Sequence, residues 1–194
     1  VWIVDITRNV LTRFTFDEAG ENRAIWSDDG SQIIFGSVQL NSQGGLFQKA
    51  SSGTGSDQQL LPAGEFGLVP QSWTSNGRYV LYLTATGTGR AAPDPTVPLL
   101  PDLWILPLFG ERKPFPLMTT PFTEQQGVFS PDGRRIAVMG AIGPLPADGP
   151  PPVVGIFVMN ADGSHVRQLT QLEPNSGTED HQPTWSTDGG RIAF

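Results

Sequence analysis

One short motif occurs four times in this chain, and a sequence that repeats itself restricts the fold more than its composition does. The motif is an aromatic residue, a few small polar residues and a glycine, then an arginine or polar residue leading into a short apolar run. It reads Trp26-Ser-Asp-Asp-Gly30 before Gln32-Ile-Ile-Phe35, and Trp73-Thr-Ser-Asn-Gly77 before Arg78-Tyr-Val-Leu-Tyr82. It returns as Phe129-Ser-Pro-Asp-Gly133 before Arg134-Arg-Ile-Ala-Val138, and as Trp185-Ser-Thr-Asp-Gly189 before Arg191-Ile-Ala-Phe194. The aromatics stand 47, 56 and 56 residues apart. A second motif runs ahead of each: Val1-Trp-Ile-Val-Asp5, Gly45-Leu-Phe-Gln-Lys49, Asp102-Leu-Trp-Ile-Leu106 and Gly155-Ile-Phe-Val-Met159. Its own aromatics, Trp2, Phe47, Trp104 and Phe157, precede the anchors by 24, 26, 25 and 28 residues. Two motifs held in register four times define a repeat.

Each repeat reads as a four-stranded antiparallel blade. Strand A carries the anchor aromatic, an Asp-Gly or Asn-Gly turn closes the A–B hairpin, strand B is the Ile-Ala-Phe-like run, and C and D follow. One blade cannot bury both faces, whereas radial stacking buries them and leaves only short edges. The predicted fold class is therefore all-β, a β-propeller with four blades' worth of sequence. It is expected as one domain over residues 1–194, with repeats at about 1–37, 45–84, 102–140 and 154–194. Trp26, Trp73, Phe129 and Trp185 are expected between blades as core. The chain opens on strands C and D and closes on A and B, so sixteen strands fall as two, four, four, four and two. Either the N-terminal C–D pair joins the C-terminal A–B pair and closes a ring, or the chain belongs to a larger ring, as a piece of a longer propeller or with a second copy.

Composition agrees with this reading. The 194 residues include 23 Gly and 18 Pro, with 38% apolar and 16% charged residues. Gly and Pro at that density break helices, which argues against a bundle or coiled coil. No apolar run approaches the about 20 residues of a membrane helix, so membrane insertion is not expected. The formal net charge is −7, and no Lys/Arg cluster suited to phosphate contacts is visible, so nucleic acid is not an expected partner. The absence of Cys excludes disulfides, thiolate catalysis and Cys-based zinc sites. With no Met at position 1 and no charged-then-apolar leader, the chain is expected to be processed or a fragment.

These repeats resemble the TolB-type, WD-like propeller repeat, whose signature is Trp-Ser-Pro-Asp-Gly followed by Arg-Ile-Ala-Phe. Only the Phe129 copy keeps the whole turn; Asp28, Ser75 and Thr187 replace the proline elsewhere. Residues 1–140 are most similar to the propeller attached to bacterial serine/threonine kinases, through Trp2-Ile-Val-Asp5, Arg13-Phe-Thr-Phe-Asp17, Leu46-Phe-Gln-Lys-Ala-Ser-Ser-Gly53 and Asp102-Leu-Trp-Ile-Leu-Pro-Leu-Phe-Gly-Glu-Arg-Lys-Pro-Phe-Pro116. Residues 155–194, with Ile156-Phe-Val-Met-Asn-Ala-Asp-Gly163 and Arg167-Gln-Leu-Thr170, look more like the repeat of the TolB family. The resemblance implies a bacterial, non-enzymatic propeller that binds a protein or peptide, in the manner of a kinase-associated sensor domain, in a periplasmic or otherwise extracytoplasmic location. Two Pro-rich insertions, at 91–101 and 144–152, lengthen B–C connections as surface loops.

Little in the sequence points to catalysis. His165 and His181 are the only histidines. Ser164 adjoins His165, but neighbours on a hairpin are expected to point apart, which leaves no nucleophile–base pair. There is no Gly-x-Ser-x-Gly elbow and no phosphate-binding loop. Asn160-Ala-Asp-Gly-Ser164 echoes the start of a calcium loop but lacks its distal Glu, and reads as a C–D turn. Asp29, Asn76, Asp132 and Asp188 read as A–B turn residues. No metal or cofactor is expected.

The charge distribution is more informative. On a propeller the D–A and B–C connections share one face. The register puts Asp17, Glu18, Glu21, Glu65, Asp94, Asp102, Glu124, Asp148, Glu173, Glu179 and Asp180 there, with only Arg23 and Arg90 as bases. Four residues at the strand A entrances, Glu21, Glu124, Asp180 and His181, are expected to ring the channel mouth. Focused negative potential there suits a basic peptide segment or a cation. Two other readings stay open: a substrate-gating propeller from a prolyl-peptidase-type hydrolase, and a structural or designed propeller without a ligand.

Overall fold

In the computed structural model, which describes residues 1–16, 20–38, 44–64, 67–85, 102–117, 124–141, 154–170 and 182–194, the four anchor motifs fold into four copies of one turn. In each copy the residue after the aromatic donates its backbone N–H to the carbonyl five residues on: Ser27 to Gln32, Thr74 to Tyr79, Ser130 to Arg135 and Ser186 to Arg191, at 2.8–3.0 Å. The Ser or Thr hydroxyl donates to the Asp or Asn ahead of the glycine, at 2.7 Å for Asp29, 2.9 Å for Asn76, 2.5 Å for Asp132 and 2.6 Å for Asp188. Gly30, Gly77, Gly133 and Gly189 have φ of 66–71°, a left-handed conformation that glycine adopts without penalty. The small polar residues of the motif are thus spent on the turn itself.

Sixteen strands are formed by the described residues. They are β1 (Trp2–Asp5), β2 (Val10–Arg13), β3 (Gly20–Trp26), β4 (Gln32–Val38), β5 (Gly45–Ala50), β6 (Gln58–Pro62), β7 (Gly67–Trp73) and β8 (Tyr79–Ala85), followed by β9 (Asp102–Pro107), β10 (Phe115–Pro116), β11 (Glu124–Phe129), β12 (Arg135–Ala141), β13 (Val154–Asn160), β14 (Arg167–Gln168), β15 (Thr184–Trp185) and β16 (Ile192–Ala193). They form five antiparallel sheets: β1-β2, β3-β4-β5-β6, β7-β8-β9-β10, β11-β12-β13-β14 and β15-β16. Each anchor aromatic pairs with the residue seven positions on, Trp26 with Ile33, Trp73 with Val80, Phe129 with Ile136 and Trp185 with Ile192. The two terminal sheets stay two-stranded, and among the described residues no ladder joins β1 to β16. Both Pro-rich insertions lie outside the described residues.

Apolar clusters fill the seams between consecutive sheets. One joins Ile34, Leu46, Leu60 and Leu68 to Val80, Tyr82 and Leu106. The next joins Leu81, Leu103 and Ile105 to Phe129, Ile136, Val138 and Met159. A smaller cluster of Phe14, Ile33 and Phe35 packs with Ile3 and Phe47. At about 25 cal/mol per Å² of buried apolar surface, these seams are the main source of stability.

The anchor aromatics lean on the preceding sheet. Trp73 packs against the first seam and Phe129 is buried in the second. The Trp185 indole donates to the Val128 carbonyl at 3.2 Å and lies under the Arg135 guanidinium. Trp26 departs from the expectation of a core position, being 51% exposed. Its sheet follows β1-β2, which has two strands among the described residues.

Candidate functional site

The acids expected at the strand A entrances are placed by the anchor register. Glu21 and Glu124 each lie five residues before their aromatic. Glu21 pairs with Ser37 and Glu124 with Gly140, in each case four residues beyond the anchor's own partner. At both, the ladder shifts register immediately afterwards, between Glu21 and Ala24 and between Glu124 and Gln126. A bulge of this kind bends a strand and re-aims its side chains. The same ladder position in β7 is Leu68, opposite Thr84, so the second full sheet carries no acid there. Asp180 and His181, and the side chain of Glu124, fall outside the described residues.

Around Glu21 the polar groups cross to the next sheet. The Glu21 carboxylate meets the amino group of Val1. Asn22 Nδ2 donates to the Leu68 carbonyl at 3.2 Å, and Arg23 Nη1 to Gln71 Oε1 at 2.9 Å. Arg23 therefore bonds a neutral amide, with no ion pair to Glu21 among the described residues. Asn22 Oδ1 and Gln126 Oε1 are buried acceptors without a hydrogen-bond partner. Nothing in the repeat pattern marked Asn22 or Gln126; the one signal was a polar amide within two residues of an acid in a short strand. Asp102, assigned to the same face, opens β9 with its backbone bonded to Thr84, and burial pushes its carboxyl up.

The turn acids are in a different state. Hydrogen bonds from the Ser27 hydroxyl and from Ser31 hold the Asp29 carboxyl down to about 2. Bonds from the Ser130 and Ser186 hydroxyls, then from backbone N–H groups, lower Asp132 and Asp188. Among the described residues no three His, Cys, Asp or Glu side chains gather as a metal set.

Solved structures show the same architecture. Over 86% of this chain and 50% of the other, it superposes on a protein assigned as TolB from Agrobacterium tumefaciens, with TM-score 0.62 at 17% identity. An oligogalacturonate lyase in complex with manganese matches 98% of this chain and 50% of its own length, with TM-score 0.67 at 14% identity. The fold is a TolB-like β-propeller. A prolyl endopeptidase shares the propeller over 80% of this chain but only 22% of its own, with TM-score 0.53 at 15% identity. The chain thus spans half the length of the first two of these proteins and less of the third. No protein-family model matches it, and none of the curated proteins does.

One feature of this propeller corrects a sequence expectation. Ser164 and His165 do not point apart: Ser164 Oγ lies 3.0 Å from His165 Nδ1. The reason is the backbone of His165, whose φ of 55° turns it out of hairpin alternation. Asn160 Nδ2 reaches both, Ser164 Oγ at 2.9 Å and His165 Nδ1 at 3.0 Å. The group closes the Asn160–Ser164 turn, where Gly163 N–H bonds the Asn160 carbonyl at 2.9 Å and Asp162 accepts from Ser164 N–H. In this turn Asp162 and His165 are exposed, while Ser164 is half-buried.

Proposed function

We propose that this chain is a non-enzymatic propeller module that binds a protein or peptide partner, with a basic segment held at the heads of the first strands. The observation that carries this reading is the equivalence of Glu21 and Glu124, two carboxylates at one ladder position on alternate sheets, each ahead of a bulge. Asp180 has the same spacing from Trp185, and His181 follows it. The unpartnered acceptors Asn22 Oδ1 and Gln126 Oε1 lie on the same strands. A set made of acceptors selects a donor-rich ligand, as lysine and arginine side chains are. The resemblance to kinase-attached propellers and an extracytoplasmic location belong to this same reading.

The test is fluorescence anisotropy with a labelled oligolysine peptide. Replacing Glu21→Gln, Glu124→Gln and Asp180→Asn together should weaken binding at least about tenfold; unchanged affinity refutes the site. The likeness to a prolyl endopeptidase propeller supports a second reading, in which the module gates substrate for a hydrolase. A Gly-x-Ser-x-Gly elbow encoded in the same open reading frame would favour it, and a kinase domain would favour the first.

A further inference from the structure

Between the first and second full sheets the apolar seam opens into a slot of about 350 Å³. Its walls include Leu61 of β6, Leu68 of β7, Tyr82 of β8 and Trp104 of β9. Tyr82 and Trp104 are direct cross-strand partners, so both rings stand on the same face of their sheet. The volume lies at the low end of the range of small-molecule sites, about 300–1,000 Å³.

Among the described residues the slot has few polar groups. Lys113, exposed on the segment between β9 and β10, lines it and makes no salt bridge among the described residues. Trp104 Nε1 is a buried donor with no hydrogen-bond partner. Thr84 also lines the slot, but its hydroxyl is engaged with the backbone of Asp102. Among the described residues no carboxylate lines the slot. Burial raises the Tyr82 phenol above its ordinary range, so that group too is neutral.

We propose that this slot binds a small amphipathic carboxylate, its flat apolar body between the Trp104 and Leu61 walls and its carboxylate on Lys113. The chain's net negative charge opposes an anion only weakly, because at physiological ionic strength charges beyond about 8 Å are screened. The slot is distinct from the strand-head acids, so the two sites stand or fall separately.

The probe pair is 2-naphthoate and its neutral isostere 2-naphthamide, titrated into the intact chain and followed by ligand-observed NMR and by the Trp104 indole N–H resonance. Naphthoate should saturate with a Kd of about 1 mM or tighter and shift that resonance. The amide should bind at least about fivefold more weakly. Lys113→Gln, an exposed substitution that spares the core, should bring naphthoate to the amide's affinity and leave the amide unchanged. Leu61→Trp, which fills the slot, should weaken both. The proposal is overturned if naphthoate does not saturate by about 5 mM, if the two probes bind alike, or if Lys113→Gln leaves the preference for the carboxylate intact.

Discussion

Gly36 offers the sharpest test of how the first two full sheets are seated. It sits within β4, next to Ser37, the ladder partner of Glu21. A Cβ there would overlap Asn22 Oδ1 and the Leu68 carbonyl oxygen and lie 2.7 Å from Asn22 Cγ. The Leu68 carbonyl is backbone of the next sheet and cannot swing aside as a side chain would. Gly36→Ala must therefore part the seam or expel Asn22, which breaks the 3.2 Å bond from Asn22 to Leu68. Overpacking of this kind costs about 1–3 kcal/mol, and the lost hydrogen bond about 1 kcal/mol more. The expected loss is about 2–4 kcal/mol, which lowers Tm by roughly 5–15 °C for a chain of this size. Gly20→Ala is the control: it opens β3, has nothing within 4 Å of its Cβ position and has no left-handed φ, so its Tm should be unchanged or slightly raised. Adding Asn22→Ala to Gly36→Ala should recover only part of the loss, since the Leu68 carbonyl remains. Circular dichroism melts with urea titrations read all three. A Gly36→Ala chain within about 0.5 kcal/mol of its parent would refute the seam as described.

Two further outcomes follow from the turns and from the last seam. The folded-state pKa values of Asp29, Asp132 and Asp188 are depressed, to about 2 for Asp29, so the stability they contribute is present above the unfolded value of about 3.9 and is lost as pH falls toward 2. Melts between pH 5 and about 2 should show that decline, and replacing the three with Asn should flatten it, as Asn76 already does in the second copy. Arg135 donates to the Gly189 carbonyl at 2.8 Å and stacks 4.8 Å from the centre of the Trp185 ring. Arg135→Ala should speed amide exchange in the Ser186–Arg191 turn about tenfold while leaving the Ser27–Gln32 turn unchanged.

What was legible in the sequence was local. The turn geometry, the seven-residue pairing and the ladder positions of Glu21 and Glu124 all follow from counting along one hairpin, where neighbours in sequence are neighbours in space. What was hidden depends on more distant chain. Trp26 carries the same anchor motif as the buried Phe129 yet is 51% exposed, so the motif by itself does not fix burial. The Ser164–His165 contact turns on one left-handed residue within an otherwise regular turn. The bonds from Arg23 to Gln71 and from Asn22 to Leu68 span 48 and 46 residues, beyond any hairpin register. Gly36 did carry a signal, since a glycine inside an apolar strand often marks a close backbone approach, but the partner that approaches could not be named from it.

Six of the nineteen acids form two sets of three, and comparing the sets decides whether any basic ligand is held by a site or by bulk charge. Asp29, Asp132 and Asp188 accept from hydroxyls and backbone N–H groups, so their oxygens are committed to turns. Glu21, whose carboxylate meets the Val1 amino group, and Glu124 lie near the starts of β3 and β11, and the proposed site adds Asp180 by its equal spacing from Trp185. Each set holds three carboxylates, and converting either set to amides moves the formal net charge from −7 to −4. A ligand attracted only by the long-range field would lose the same affinity in both variants. A ligand held at the strand heads would lose at least about tenfold in one and little in the other. Anisotropy with the oligolysine peptide at about 0.15 M salt, where long-range terms are screened, makes the comparison. Equal losses in the two variants would remove the strand heads as a site and leave the acidity of the chain as a property of its surface.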